Sequence, residues 1–350
     1  MELEEALKRI KKFDDAAYEA SAKKWLTLVK PLFSLGRLEK AVSQMAGIKE
    51  KRDFELVKKI LVIMCADNGV VKEGISQCGS EVTATAARSF AFGESAACIM
   101  AKRAGVDVLP IDAGMVTDVS EIRSIKQSYG TENMAEGPAM AREHCIKIIE
   151  KAIDIVGELA ENNYDIILTG EMGIGNTTTA SAVTSVLLDK DPSEVTGRGA
   201  GLTSEMLKHK IEVIKKAIDI NKPDKNDPLD VLSKVGGYDI AGMAGLFIGG
   251  AVYGIPVVID GFISSVAALL VCRIDSRVKD YILPSHLSEE AAAKYILKEL
   301  GLEPFISCGM FLGEGSGAVS LMPLLDMALD VYNKLNTFDK WEHEAYKVLR

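Results

Sequence analysis

The stretch Tyr164–Ala180, YDIILTGEMGIGNTTTA, decides the fold. Asp165-Ile166-Ile167-Leu168 is a short apolar run that reads as a buried strand. Gly170, Gly173 and Gly175 break that pattern, and Asn176-Thr177-Thr178-Thr179 leads into ASAVTSVLL, which reads as a helix. Strand, glycine turn and helix N-terminus together make a cradle for an anion. Glycine lets the backbone come close, and the free N–H groups and the helix dipole favour negative charge. The spacing Gly170-x-x-x-x-Gly175-Asn176-Thr177 is that of a P-loop, but Asn176 stands where the lysine belongs. A nucleoside triphosphate would lack its main cationic partner there, so the loop suits a monophosphate better. A plain βα turn with three hydroxyls capping a helix remains the competing reading. Glu171 would repel a phosphate and better suits a ribose hydroxyl or a cationic ring.

Working outward, the rest of the chain repeats this grammar. Leu61–Ala66 (LVIMCA), Val106–Asp112 and Ile255–Asp260 read as further buried strands. The first and last end in polar residues, Asp67-Asn68-Gly69 and Asp260-Gly261. Open α/β sheets place ligands just past such strand ends. Glycines recur in Gly197-Arg198-Gly199-Ala200-Gly201. Beyond them Thr203 or Ser204 caps a helix bearing Lys208, Lys210, Lys215 and Lys216, one of which could close on a phosphate. Ser285–Ser288 is expected to cap a helix from Glu289, with His286 better read as a packing residue than as a catalyst. In Cys308–Ala318, Glu314 lies between Gly313 and Gly315 with apolar sequence on both sides. Such a carboxylate is poorly solvated, so it is either a base with a raised pKa or the cap of the helix that follows.

The 350 residues carry a net charge of −9, are 48% hydrophobic and only 6% aromatic, which implies an aliphatic core suited to a parallel sheet. No basic block stands out, so nucleic acid is not an expected partner. The start has no signal-peptide pattern. The apolar run Ala241–Cys272 raises the question of a membrane, but Pro256, Asp260 and its glycines divide it into helix, strand and helix. The six cysteines have no C-x-x-C pairing and read as reduced thiols of a cytoplasmic protein, and no histidine pair has metal spacing. The expected fold is therefore α/β: a mainly parallel, Rossmann-like sheet flanked by helices over residues 51–325. Residues 1–50, read as an amphipathic helix to Lys30 and a second helix capped by Ser34, would join a helical 326–350 as a small helical domain.

Several segments together resemble the nicotinate-nucleotide–dimethylbenzimidazole phosphoribosyltransferase family. They are SLGRLE (34–39), ADNGVVKEGIS (66–76), SEVT (80–83), DAGM (112–115), GPAM (137–140), GEMGIGNTTTA (170–180) and GRGAG (197–201). VGGYDIAGMAG (235–245), IPVVIDGFISS (255–265), SHLS (285–288) and GMFLGEGSGA (309–318) complete the series, collinear over nearly the whole chain. The resemblance implies a homodimer without a cofactor or metal. It also implies transfer of 5-phosphoribose from nicotinate mononucleotide to a lower-ligand base, giving an α-riboside 5′-phosphate for cobalamin-type cofactors. Glu314 matches the family's catalytic glutamate. Glu171, Gly173, Gly175, Asn176, Thr177, Lys210, Ser288, Gly313 and Gly315 match its phosphate and ribose contacts. Ser76, Gln77, Thr85 and Leu312 fall where the base is held. The chain departs from the family in Lys30-Pro31-Leu32-Phe33, in Asn68, and in Ala84-Thr85-Ala86, where a glutamine bounding the base pocket is usual. Dimethylbenzimidazole, adenine, another benzimidazole and a phenol therefore all stay open as acceptors, and so does a nucleotide-binding protein without turnover.

Overall fold

A computed structural model describes residues 1–199 and 201–348. Ala200 of the glycine bend and the last two residues of the expected C-terminal helix lie outside the described residues. Six strands form one sheet, all parallel, among the described residues: β1 (Lys59–Ala66), β2 (Val106–Gly114), β3 (Arg123–Ser124), β4 (Ile166–Met172), β5 (Val257–Val258) and β6 (Ile282–Leu283). Their order is β3-β2-β1-β4-β5-β6, the doubly wound arrangement in which the topology reverses between β1 and β4. All eight residues of β1 are buried, as a central strand covered on both faces requires.

Alternation along β1 splits the core in two. Ile60, Val62 and Met64 pack with the helices Arg142–Glu161 and Tyr238–Tyr253, while Leu61, Ile63 and Cys65 pack with Ala96–Ala104 and Ser316–Lys334. The small residues of Tyr238–Tyr253 are needed for this layering. A Cβ at Gly245 would lie 2.4 Å from the Ile149 carbonyl, and one at Gly242 would lie 2.7 Å from the Met64 sulfur. The apolar run that raised the membrane question is Tyr238–Tyr253, β5 and Phe262–Ile274, and no helix among the described residues is long and apolar enough to span a bilayer.

The termini depart in detail from expectation. Two helices, Leu3–Lys8 and Asp15–Thr27, replace the single N-terminal one. Ser34 caps nothing. Gly36, at φ +56°, occupies the cap of Arg37–Ile48, and the Glu39 carboxylate accepts the Leu35 N–H at 3.0 Å. The C-terminal helix ends at Lys334, and among the described residues only a single turn at Phe338–Trp341 follows. The two ends of the chain do meet. Trp25 packs on Tyr332 with ring centroids 4.9 Å apart, and Leu28 bridges Thr337. Leu3 and Ala6, in contrast, sink into the core on the opposite face of the sheet.

Candidate active site

Two glycine loops converge at the C-terminal ends of β4 and β5. In the first, Gly173 is required by proximity, since a Cβ there would stand 2.2 Å from the Ala66 carbonyl. Gly175, at φ +91°, turns the chain into the helix Asn176–Leu188. The Asn176 amide then donates back to the Glu171 carboxylate. The Thr177 hydroxyl accepts from the Lys210 ammonium at 2.8 Å, and a second Lys210 N–H donates to the Gly197 carbonyl at 3.3 Å. Lys210 is 1% exposed, and burial lowers its pKa to about 8, with Glu290 opposing the shift. A buried ammonium beside a helix N-terminus has the chemistry to hold an anion.

The second loop carries Glu314. Gly313, Glu314 and Gly315 all have positive φ, at +78°, +59° and +87°, so a non-glycine residue is held in the left-handed region between two glycines. The competing role as helix cap belongs to another residue. Asp260, at the end of β5, accepts from the Gly315, Gly317 and Ala318 N–H groups at 3.2, 2.7 and 3.1 Å and so closes the N-terminus of Ser316–Lys334. Glu314 is left with one buried carboxyl oxygen that has no hydrogen-bond partner among the described residues. Burial raises its pKa above the ordinary value. The Ala97 N–H and the Ser95 hydroxyl offset part of that rise, and the Asp260 charge adds to it. His286 packs its ring over Gly317 and lies beside Ser285, Nδ1 to Oγ 3.2 Å. Asp260→Ala strands three helix N–H groups, and we expect a loss of ~3–5 kcal/mol in stability, read by urea denaturation.

Between the loops is a cavity of about 230 Å³. Glu171, Gly173, Asn176, Thr177, Ser288, Leu312, Gly313 and Glu314 of the expected residues line it, and Lys210 stands behind Thr177. Gly175 and Gly315 act from below as the turns that start the two helices. Ser76, Gln77 and Thr85 do not line it. The Ser76 hydroxyl accepts the Cys78 N–H at 3.3 Å, Gln77 donates to the Gly201 carbonyl at 2.8 Å, and Thr85 bonds back to Glu81 within its own helix. Sequence reading missed Glu290, two residues past the SHLS segment, because the expected helix from Glu289 begins only at Ala293; the Ser288 hydroxyl instead accepts the Glu290 N–H at 3.3 Å. It also missed Phe311, an exposed ring at the rim.

Acidic groups crowd the other side. Burial pushes the Glu171 carboxyl up to about 8, with help from Asp239, Asp260 and Glu314, and pushes Asp239 up to about 6. A Cβ at Gly313 would lie 2.7 Å from Glu171 Oε1, so the two loops touch here. The folded site therefore holds protons that the unfolded chain releases near the normal carboxyl range. Between about pH 4.5 and 8 the unfolded state binds fewer protons than the native one, and stability falls as pH rises. Melting curves of ligand-free protein should show that fall, and Glu171→Gln should flatten it.

A phosphoribosyltransferase family profile matches residues 10–342. The chain is 46% identical to the nicotinate-nucleotide–dimethylbenzimidazole phosphoribosyltransferase of Clostridium acetobutylicum over the full length of both. It is 40% identical to the enzyme of that name from Escherichia coli strain SE11, with 95% of this chain and 94% of that one covered. Among solved structures, CobT from Thermus thermophilus superposes with a TM-score of 0.90 at 32% identity, covering 95% of this chain and 100% of that one.

Proposed function

The chain belongs to the nicotinate-nucleotide–dimethylbenzimidazole phosphoribosyltransferase family, and we propose that it moves 5-phosphoribose from nicotinate mononucleotide to 5,6-dimethylbenzimidazole. The products are nicotinate and α-ribazole phosphate, the nucleotide needed for the lower loop of cobalamin. The observation that carries this reading is one cavity with a buried ammonium behind its Thr177 wall and, on its other loop, the partly buried Glu314, one of whose carboxyl oxygens has no hydrogen-bond partner among the described residues. Lys210, Thr177 and the N-terminus of Asn176–Leu188 receive the 5′-phosphate. Glu171 faces the ribose and the cationic pyridinium, whose arrival draws the proton off its carboxyl.

The chemistry needs little beyond placement and one base. Nicotinate leaves as a neutral pyridine nitrogen, taking the electron pair of the C1′–N bond, because that nitrogen already bears positive charge. C1′ becomes oxocarbenium-like, and the buried carboxylates Glu171 and Asp260 stabilise that charge. A benzimidazole nitrogen bonds C1′ from the opposite face, which inverts the β-riboside to α. Its second ring nitrogen then carries an acidic N–H, and Glu314 takes that proton. Leu312 and the exposed Phe311 offer the apolar surface on which the flat base would lie. A second reading, transfer to adenine or a phenol, is supported by the same rim, which holds the base by apolar contact, and by Thr85 turning its hydroxyl back on its own helix. The protein works as a homodimer in the cytoplasm on this account; the family resemblance supports the first, and six free thiols are compatible with the second.

The test is to incubate the enzyme with nicotinate mononucleotide and a panel of dimethylbenzimidazole, adenine and phenol, and to identify the products by mass and by the anomeric proton resonance. An α-riboside with dimethylbenzimidazole is expected. Tight binding of the mononucleotide without any product would reduce the protein to a nucleotide binder.

A further inference from the structure

Glu290 is a carboxylate placed where a dianion is expected to bind. It lines the cavity with Thr177, Gly199 and Ser288. Its Oε2 is buried without a hydrogen-bond partner among the described residues and presses on the backbone of Gly197, where a Cβ would lie 1.8 Å away. The same Gly197 carbonyl accepts from Lys210, and a Cβ at Gly199 would lie 3.1 Å from the Thr177 hydroxyl and 3.7 Å from the Lys210 ammonium. The ammonium, the hydroxyl and the carboxyl thus all lie against the short bend Gly197–Gly199. The groups acting on Glu290 are the Lys210 ammonium, from the helix Ser204–Asn221, and the Gly199 N–H, from the crossing loop. The nearby Arg198 guanidinium is engaged with the Leu202 carbonyl at 2.7 Å and the Ser204 hydroxyl at 3.0 Å.

A fully ionised phosphate facing an ionised carboxyl would be repelled at hydrogen-bonding distance. One proton between them turns that contact into a charge-assisted hydrogen bond. We propose that Glu290 is a specificity residue for the 5′-phosphate: carboxyl and phosphate share one proton, so the subsite takes a tetrahedral anion that can share a proton and rejects one that cannot. This rests on the phosphoribosyl transfer proposed above, in that the anion is the mononucleotide's phosphate. Binding then draws in a proton once both free groups are ionised. Burial keeps the Glu290 pKa above the ordinary carboxyl value, Lys210 and the Gly199 N–H pull it back, and a phosphate monoester has its second pKa near 6.

Two measurements on the intact enzyme test this. Inorganic phosphate and sulfate are compared as ligands by calorimetry at pH 7, and nicotinate mononucleotide is titrated from pH 6.5 to 7.5, below the value of about 8 to which burial lowers Lys210. We expect phosphate to bind at least about tenfold more tightly than sulfate. The mononucleotide's Kd should rise by up to about tenfold across that pH unit, with net proton uptake when two buffers are compared. In Glu290→Gln, whose amide can donate to either anion, the preference and the pH dependence should both shrink to about twofold or less. A melting curve confirms that the variant is folded, and the wild-type measurements decide the matter even if it is not. Equal binding of phosphate and sulfate by the wild type, or mononucleotide affinity that stays level or improves with pH, overturns the role of Glu290. If the mononucleotide is nevertheless bound and turned over, the transferase reading stands. If it is not bound at any pH, that reading fails with it.

Discussion

Replacing Glu314 by glutamine should lower kcat by about 10²–10⁴-fold, the usual contribution of a positioned general base, while the Kd for nicotinate mononucleotide changes by less than about threefold. The amide has the carboxylate's shape but cannot accept the proton that the incoming base must lose. The geometry should survive the change. The left-handed backbone at φ +59° is set by its flanking glycines and by the close approach of the Glu314 carbonyl, which lies 2.9 Å from where a Cβ on Gly170 would be. The helix N-terminus that Glu314 precedes is held by Asp260 instead. Because burial raises the Glu314 pKa, wild-type kcat should climb with pH through that raised value and then level, and the climb should vanish in the variant. Equal loss of turnover and of mononucleotide binding would assign Glu314 to substrate binding rather than to proton transfer.

Lys210→Met should weaken the mononucleotide by about 10–100-fold, the worth of about 1.5–3 kcal/mol for a hydrogen bond to a charged group, with the effect in KM rather than kcat. The substitution keeps an unbranched chain of similar length in a fully buried slot. Folding should tolerate it. The native environment lowers the ammonium's pKa to about 8, so below that pH the wild type carries an unfavourable buried charge that methionine lacks. Thermal melts at pH 7 are therefore expected to show the variant no less stable than wild type while calorimetry shows the lost affinity. Unchanged affinity would remove Lys210 from the phosphate subsite.

Much of this architecture was legible in the chain because parallel strands buried on both faces are written as unbroken apolar runs. β1 and the Ile166–Leu168 start of β4 are of that kind, whereas β2 is interrupted by the exposed Asp107. β3 and β6 were not legible, since two residues carry no period; β5 is as short but lies within the longer buried run Ile255–Asp260, whereas β6 follows directly on a helical turn. Local signals also failed at the caps. Ser34 is a good capping residue by type, but Gly36 takes the position because the chain must turn there with positive φ. The site was legible where one segment carries both its residues and its geometry, as in GEMGIGN and LGEGSG. Choosing between the two roles of Glu314 needed a contact from Asp260, fifty-five positions away in sequence from the Gly315 N–H it accepts. Glu290 was passed over for the same reason, because its meaning comes from Lys210 and Gly197 on a different part of the chain.

The most direct test of the central claim, that Glu314 takes its proton from an incoming aromatic base, is nicotinate release from the mononucleotide with and without dimethylbenzimidazole. The account predicts release only when the base is present, one nicotinate for each α-riboside formed. Release at the same rate without base would show that Glu314 activates water instead, and would make the protein a hydrolase.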